Sequence, residues 1–170
     1  MVIWISGAYG VGKSTLAEAL KNKMESAVIF DAEALGNAVR DNYPDKPYGL
    51  IFEDYPLWCD FCHRLIRDIC STCIKDILVP MTLVRQSSYV DIIERLRADG
   101  IIVKFIILEA AHRTVHDRIL ARGEEEDCWC IQNIEMARAC TRAVTGGFHI
   151  ATDNRSALEL ADVALEYIYS

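Results

Sequence analysis

No block of lysine or arginine stands out in this sequence, and acidic residues outnumber basic ones, 25 to 18, for a formal net charge of -7. Binding to a nucleic-acid backbone calls for a basic patch or stripe, so nucleic acid is not an expected partner. Long apolar runs are missing as well. The longest one near a helix length, Gly100 to Leu108, is interrupted by Lys104 and falls far short of the roughly 20 residues that cross a bilayer. No integral membrane segment is expected. The apolar opening, residues 1 to 8, lacks the basic flank and cleavage site of a secretory leader, which makes the cytoplasm the expected compartment. No stretch is low in complexity, and His63, His112, His116 and His149 show no metal-binding spacing.

Cysteine, by contrast, is not scarce, with seven in the chain. An odd number in a cytoplasmic class argues against a disulfide framework. Cys59-x-x-Cys62 and Cys70-x-x-Cys73 invite a zinc reading, but the segment from Asp54 to Asp76 places Leu57, Phe61, Leu65 and Ile69 at helical spacing. On one helix Cys59 and Cys70 stand about 16 Å apart, too far to share a tetrahedral ion. Reduced cysteines packed as small hydrophobes are the expectation. Cys128-x-Cys130 stays open as a redox or metal pair.

What the sequence does have is at its start. Val2 to Ser6 is a short apolar run rich in β-branched and aromatic residues, a buried strand, and it leads straight into Gly7-Ala8-Tyr9-Gly10-Val11-Gly12-Lys13-Ser14. This octapeptide fits the phosphate-loop pattern G-x-x-x-x-G-K-[ST]. Glycines let the backbone curl so that successive N–H groups point into one anion-sized hollow. Lys13 then sets a compact cation against the β- and γ-phosphates, and the helix that begins here adds the positive end of its dipole. The Ser14 hydroxyl is placed to join a Mg²⁺ shell.

The remainder alternates strand and helix. Helices are predicted over Lys13–Met24, Glu33–Asn42, Tyr89–Arg97, His112–Ala121, Cys130–Val144 and Ser156–Ile168, besides the long one within Asp54–Asp76. Strands are predicted at Ala27–Phe30, Ile77–Val79, Ile101–Leu108 and Phe148–Ala151. Connections too long for hairpins make this the βα pattern of a parallel sheet covered on both faces. At 170 residues and 52% hydrophobic content the expectation is one domain over residues 1–170. Asp31-Ala32-Glu33 then falls at the carboxyl end of the second strand, the edge where open α/β sheets bind ligands.

The phosphate loop, the acid-x-acid step, the Arg118 and Arg122 pair before a short break and the Thr152-Asp153 turn after the fifth strand together resemble the small P-loop kinases related to shikimate, gluconate and nucleoside monophosphate kinases. More narrowly, I-W-I-S-G-A-Y-G-V-G-K-S-T, F-D-A-E-A-L-G, D-Y-P-L-W, V-P-M-T-L-V, R-I-L-A-R and H-I-A-T-D-N resemble the tunicamycin-resistance ATP-binding proteins, which are similar to the phosphotransferase that modifies chloramphenicol. The resemblance implies a three-layer α/β/α fold around a five-stranded parallel sheet ordered 2-3-1-4-5, a substrate cap at about residues 42–60 and a lid at about 118–130. It implies ATP and Mg²⁺ as cofactors, a small-molecule acceptor as the other ligand, and a monomer or homodimer.

On that basis the nucleotide is expected at Gly7, Ala8, Tyr9, Gly10, Val11, Gly12, Lys13, Ser14 and Thr15, with Asn154 and Arg155 near the adenine. Ser14 and Asp31 are the expected metal side chains, and Lys13, Asp31, Arg118 and Arg122 the catalytic ones. Asp31 either deprotonates an acceptor hydroxyl or caps the following helix. Arg118 and Arg122 either close over the transferring phosphoryl group or form a solvated helix face. Glu33 and Arg40 either anchor the acceptor or pair with each other. Phe52, Tyr55 and Trp58 either stack on a ring of the acceptor or pack in the core. Two functions stay open: transfer of phosphate to a hydroxyl of an antibiotic, nucleoside or sugar, or ATP-dependent sequestration of a drug without reaction.

Overall fold

The computed structural model describes residues 1–45 and 51–170. From the N-terminus the chain runs β1 (Val2–Gly7), α1 (Lys13–Lys23), β2 (Ala27–Ile29), α2 (Ala32–Asp41), a 3-10 turn (Phe52–Asp54) and α3 (Pro56–Thr72). It continues through β3 (Asp76–Pro80), α4 (Gln86–Tyr89), a π turn (Val90–Glu94), α5 (Arg95–Ala98), β4 (Val103–Glu109), α6 (His112–Leu120), α7 (Trp129–Gln132), α8 (Ile134–Ala143), β5 (Phe148–Ala151) and α9 (Ala157–Ile168). The strands form one parallel sheet in the order β2-β3-β1-β4-β5.

β1 is buried at every position because helices cover both faces of the sheet. Its side chains alternate between two cores. Val2 and Trp4 join Tyr55, Trp58, Ile66 and Phe105 on the side of α2, α3, α4 and α5, whereas Ile3 and Ile5 join Leu16, Leu20, Ile106 and Leu160 on the side of α1, α6, α8 and α9. A period of two on a doubly covered strand therefore reads as an unbroken apolar run.

Two helix starts are built from side chains. Asp31 accepts a 2.9 Å hydrogen bond from the Ala34 amide at the head of α2, and Ser156 and Glu159 form a reciprocal capping box on α9. Some predicted elements differ from what forms. The periodic stretch Cys130–Val144 is two helices, because Asn133 leaves helical geometry and its side-chain amide donates to the Trp129 carbonyl at 2.8 Å. The helix predicted from Tyr89 begins at Gln86 and carries a π turn in its middle. Residues 46–50 of the expected cap, Pro47 among them, lie outside the described residues.

Candidate functional site

The carboxyl ends of the strands converge on the loop between β1 and α1. Gly10 takes φ 77° there, and a Cβ on it would lie 2.6 Å from Cγ1 of Ile119, so α6 can pack directly on the loop only because this residue has no side chain. Gly12, at φ 112°, opens α1 with no side-chain cap, and the amides of the helix start are left to a ligand. Lys13 is buried, and its Nζ donates to the carbonyls of Gly7 (3.2 Å) and Ala8 (3.1 Å). Burial brings its ammonium down to about 8; nearby Glu33 opposes that shift and Arg122 adds to it.

The loop is braced from both sides. Trp4 Nε1 donates to the Met81 carbonyl at 2.8 Å, Thr82 Oγ1 to the Gly7 carbonyl at 2.9 Å, and the Leu83 amide to Ser6 Oγ at 2.9 Å. These bonds fix the segment after β3 against the root of the loop. From α6, Arg118 donates to the Val11 carbonyl (3.0 Å), Thr152 Oγ1 (2.9 Å) and the Thr152 carbonyl (3.0 Å). The turn after β5 is held in turn by Asp153, which accepts from the Ala111 amide and from Thr114 Oγ1 at 2.6 Å. These bonds, chiefly the one from Thr114, hold the Asp153 carboxyl below its usual range.

Two adjoining hollows open on the loop. One, of about 220 Å³, is lined by Tyr9, Lys13, Ser14, Glu33, Arg122 and Cys130 among others. The second, of about 260 Å³, lies beyond Gly12 and is bordered by Thr15, Arg118, Arg122 and Arg155. Gly10, Gly12 and Arg122 belong to both, so they form one groove with a Lys13 end and an Arg155 end. Larger hollows of about 530 Å³ beside Met1 and Ile102 and about 640 Å³ between α2 and α3 lie away from the phosphate loop.

The residues singled out in the sequence separate on this geometry. Ser14, Thr15 and Arg155 line the groove and are exposed, and Asn154, also exposed, precedes Arg155 in a left-handed turn at φ 56°. Arg122 is exposed between the two hollows, whereas Arg118 is tied beneath the loop by the three bonds above. Among the described residues neither arginine forms an ion pair with a carboxylate; Asp117 pairs with Arg113 and His116 instead. Asp31 caps α2, and Glu33 is the member of the acid-x-acid step that lines the hollow with Lys13.

Arg40 does not pair with Glu33: it bonds Asn37 Oδ1 at 2.6 Å, lies 3.5 Å from Asp41, and stands over the Phe52 ring at 5.2 Å. Phe52 itself packs against Gly36, where a Cβ would meet the ring at 2.5 Å. Tyr55 and Trp58 are fully enclosed in the core, Trp58 Nε1 donating to the Ala32 carbonyl at 2.9 Å, so of the two alternatives read from the sequence they take core packing and do not stack on an acceptor. All seven cysteines are free, and among the described residues no cluster of His, Cys, Asp and Glu could hold a metal by itself.

A model of the AAA domain matches residues 2–132, which includes the phosphate loop, Glu33 and both arginines of α6 and its end. The chain belongs to that family. As an AAA domain it is similar in fold to the Deinococcus radiodurans tunicamycin resistance protein, with 20% identity, 98% of this chain and 94% of that one covered, and a TM-score of 0.80. A gluconokinase from Sinorhizobium meliloti superposes at 0.71 with 17% identity over 99% and 91% of the two chains. The Mycobacterium tuberculosis APS kinase, solved with AMPPNP and APS, superposes at 0.66 with 16% identity over 99% and 97%. At these identities the likeness is one of fold, a P-loop kinase-like domain. No curated protein matches the sequence.

Four residues were not legible as site residues. Thr152 and Asp153, whose turn after the fifth strand was predicted without this role, join the loop through Arg118 and Thr114 of α6, and Thr152 Oγ1 also donates to the Val11 carbonyl at 3.3 Å. Glu53 accepts from the amides of Val84 (2.8 Å) and Arg85 (3.0 Å), joining the 3-10 turn to the segment after β3; burial pushes its carboxyl up. Trp129 meets Tyr9 edge-on with ring centroids 4.9 Å apart, seating α7 on the phosphate loop. No local pattern carries a contact between residues so distant in the chain.

Proposed function

We propose that this AAA domain binds ATP with Mg²⁺ and transfers the γ-phosphoryl group to a hydroxyl of a small antibiotic or nucleoside-like acceptor. The observation that carries the reading is that Lys13 and Glu33, a cation and a carboxylate, line one hollow at the mouth of a phosphate loop. The uncapped start of α1 and the Lys13 ammonium suit a chain of phosphates, and the Arg155 end of the groove suits the base and ribose. With no metal cluster preformed among the described residues, Mg²⁺ would enter with the nucleotide, held by Ser14 and by Asp31 through water, and would neutralise phosphate charge.

The protein's own groups divide the rest of the work. Loop amides and Lys13 hold the β- and γ-phosphates, and Arg122, exposed between the hollows, balances charge that develops on the transferring group. Glu33 accepts the proton of the acceptor hydroxyl as its oxygen bonds to phosphorus and the bond to the bridging oxygen of ADP breaks. Asp31, engaged at the α2 amide, sets the pitch of the helix that carries Glu33. Residues 42–45 and 51–60 serve as the acceptor cap and 118–130 as the lid.

The test is product mass and ADP release for the purified protein with Mg²⁺-ATP and a panel of tunicamycin, chloramphenicol, shikimate, gluconate and nucleosides. The expected result is one acceptor heavier by a single phosphoryl group, with the product lost in Lys13→Ala and Glu33→Gln. The D. radiodurans protein is named for tunicamycin resistance, and resistance also follows from holding a drug without reaction. Tight tunicamycin binding in the presence of ATP with no phosphorylated product would replace the kinase reading by sequestration.

A further inference from the structure

We propose that Glu53 is a positioning residue, its carboxylate carrying the placement of the acceptor cap to the phosphate loop through the strap of residues 81–85. The nucleotide as ligand rests on the reading above; the link from Glu53 to the loop does not. Residues 81–85 run without regular structure between β3 and α4, and each of them is bonded to a residue far away in the chain. The Met81 carbonyl accepts from Trp4, Thr82 Oγ1 donates to the Gly7 carbonyl, and the Leu83 amide donates to Ser6 Oγ. Past Leu83 the partners change sides. The Val84 and Arg85 amides donate to the two oxygens of Glu53, at 2.8 and 3.0 Å, and the Arg85 guanidinium pairs with Asp54.

One half of the strap therefore belongs to the end of β1 and the other to the 3-10 turn Phe52–Asp54. An irregular backbone has no ladder of its own, so these bonds set where it lies. Only a carboxylate serves both amides fully, because each of its oxygens accepts and neither carries a proton. Glu53 lines neither hollow of the groove, so it acts on a ligand there through the strap and not by touching it.

Protonation disturbs the same pair of bonds. Burial pushes the Glu53 carboxyl up, opposed by the bonds from Val84, Ser88 and Arg85 and by the Arg85 charge. Facing it are Arg85, with Asp54 paired to it, Tyr9 from the phosphate loop and Cys59 from α3. The Tyr9 phenol is pushed up as well, and the Cys59 thiol to about 11, so both stay neutral where Glu53 takes its proton. As pH falls through a value above the ordinary carboxylate range, one oxygen gains a hydrogen of its own and its amide loses an ionised acceptor.

The experiment measures binding of a fluorescent ATP analogue with Mg²⁺, and amide hydrogen exchange of the nucleotide-free chain, in the wild type, Glu53→Gln, Thr82→Val and the double variant, each checked for cooperative melting. The carboxamide in Glu53→Gln keeps the shape but accepts from one amide only, and Thr82→Val removes the bond to Gly7 at nearly the same volume. Glu53→Gln should weaken binding by about three- to tenfold, within the worth of one hydrogen bond to a charged group. The double variant should bind no worse than the weaker single one, whereas independent sites would multiply their losses. As pH is lowered from neutrality, the gap between the wild type and Glu53→Gln should close. In hydrogen exchange Glu53→Gln should speed residues 82–85 and, with them, residues 5–8 at the end of β1, leaving 148–151 of β5 as they were.

Faster exchange confined to 82–85, multiplied losses in the double variant, or a gap that stays constant with pH overturns the proposal. Should Glu53→Gln not fold, the wild type alone decides: protection at 82–85 and at 5–8 must fall together on acidification, and a fall at 82–85 alone overturns the link. Absence of analogue binding in the wild type removes the nucleotide reading, and exchange at the two segments still decides the role of Glu53.

Discussion

Lys13 is a buried cation whose Nζ donates to the carbonyls of Gly7 and Ala8, and that fixes two pH effects. Its folded value of about 8 lies below the ordinary 10.5, so between those limits the unfolded chain binds more protons at this site. Stability from Lys13 is therefore fully present above the unfolded value and is lost as pH falls toward about 8. Phosphates reverse the sign for binding, because an anion beside the ammonium favours its charged form. Nucleotide binding should take up a proton near pH 8, and affinity should fall by up to about tenfold per pH unit above it. Calorimetry in buffers of different ionisation enthalpy measures that uptake, and Lys13→Ala should abolish it. Asp31 and Glu33 separate at the same scale. Asp31→Asn should destabilise the start of α2 by no more than about 1 kcal/mol and keep residual turnover, while Glu33→Gln should leave stability unchanged and lower kcat by about 10²-fold or more. Equal losses of kcat in the two variants, read beside their unfolding curves, would return the base role to Asp31.

α6 is the element that joins the phosphate loop, the turn after β5 and the groove. It packs Ile119 on Gly10, ties Val11 to the turn after β5 through Arg118, and delivers Arg122 to the groove. Arg118→Ala would leave the buried Thr152 hydroxyl and the carbonyls it serves without that charged donor. Hydrogen bonds from a charged group contribute about 1.5–3 kcal/mol each, with overlap among neighbours, so a loss of about 3 kcal/mol in denaturant unfolding is expected. Nucleotide affinity should fall with it. Arg122→Ala makes the contrasting case, since an exposed side chain free of ion pairs among the described residues can be removed with little change in stability. Its effect should appear in kcat. Most elements of this kind were legible in the sequence. The strand at Phe148–Ala151 is as predicted and the helix after Ser156 begins one residue later, because a doubly covered strand shows as an apolar run and a Ser-x-x-Glu step is a local signal. The break at Asn133 and the burial of Tyr55 and Trp58 were not. An apolar period of 3.6 cannot reveal that a side-chain amide competes for a carbonyl, and an aromatic next to an acidic step reads alike whether it faces a ligand or the core.

The whole molecule places its chemistry on one edge. Every strand ends at that edge, and the groove is assembled from segments far apart in the chain: residues 7–15 after β1, 118–122 at the end of α6, and 152–155 after β5. The phosphate loop and the acid-x-acid step could be read from local spacing, but the choice between Asp31 and Glu33 depends on how α2 is pitched against the sheet, which only the folded chain fixes. An assembled groove has a thermodynamic consequence. The unfolded chain has no site, so nucleotide at 100 times its dissociation constant should add about 2.7 kcal/mol to stability, a rise in melting temperature of about 5–10 °C for a chain of this size. Hydrogen exchange should slow on the three groove segments together, because a ligand that spans them must order all three, and exchange at residues 70–76 and 100–102 around the opposite hollow should stay as it was. Lys13→Ala should lose both effects while melting cooperatively. Protection confined to residues 7–15 would mean that the phosphates are held but the Arg155 end takes no base, and protection at the opposite edge would place the ligand in the hollow beside Met1 and remove the basis for every role assigned to the phosphate loop.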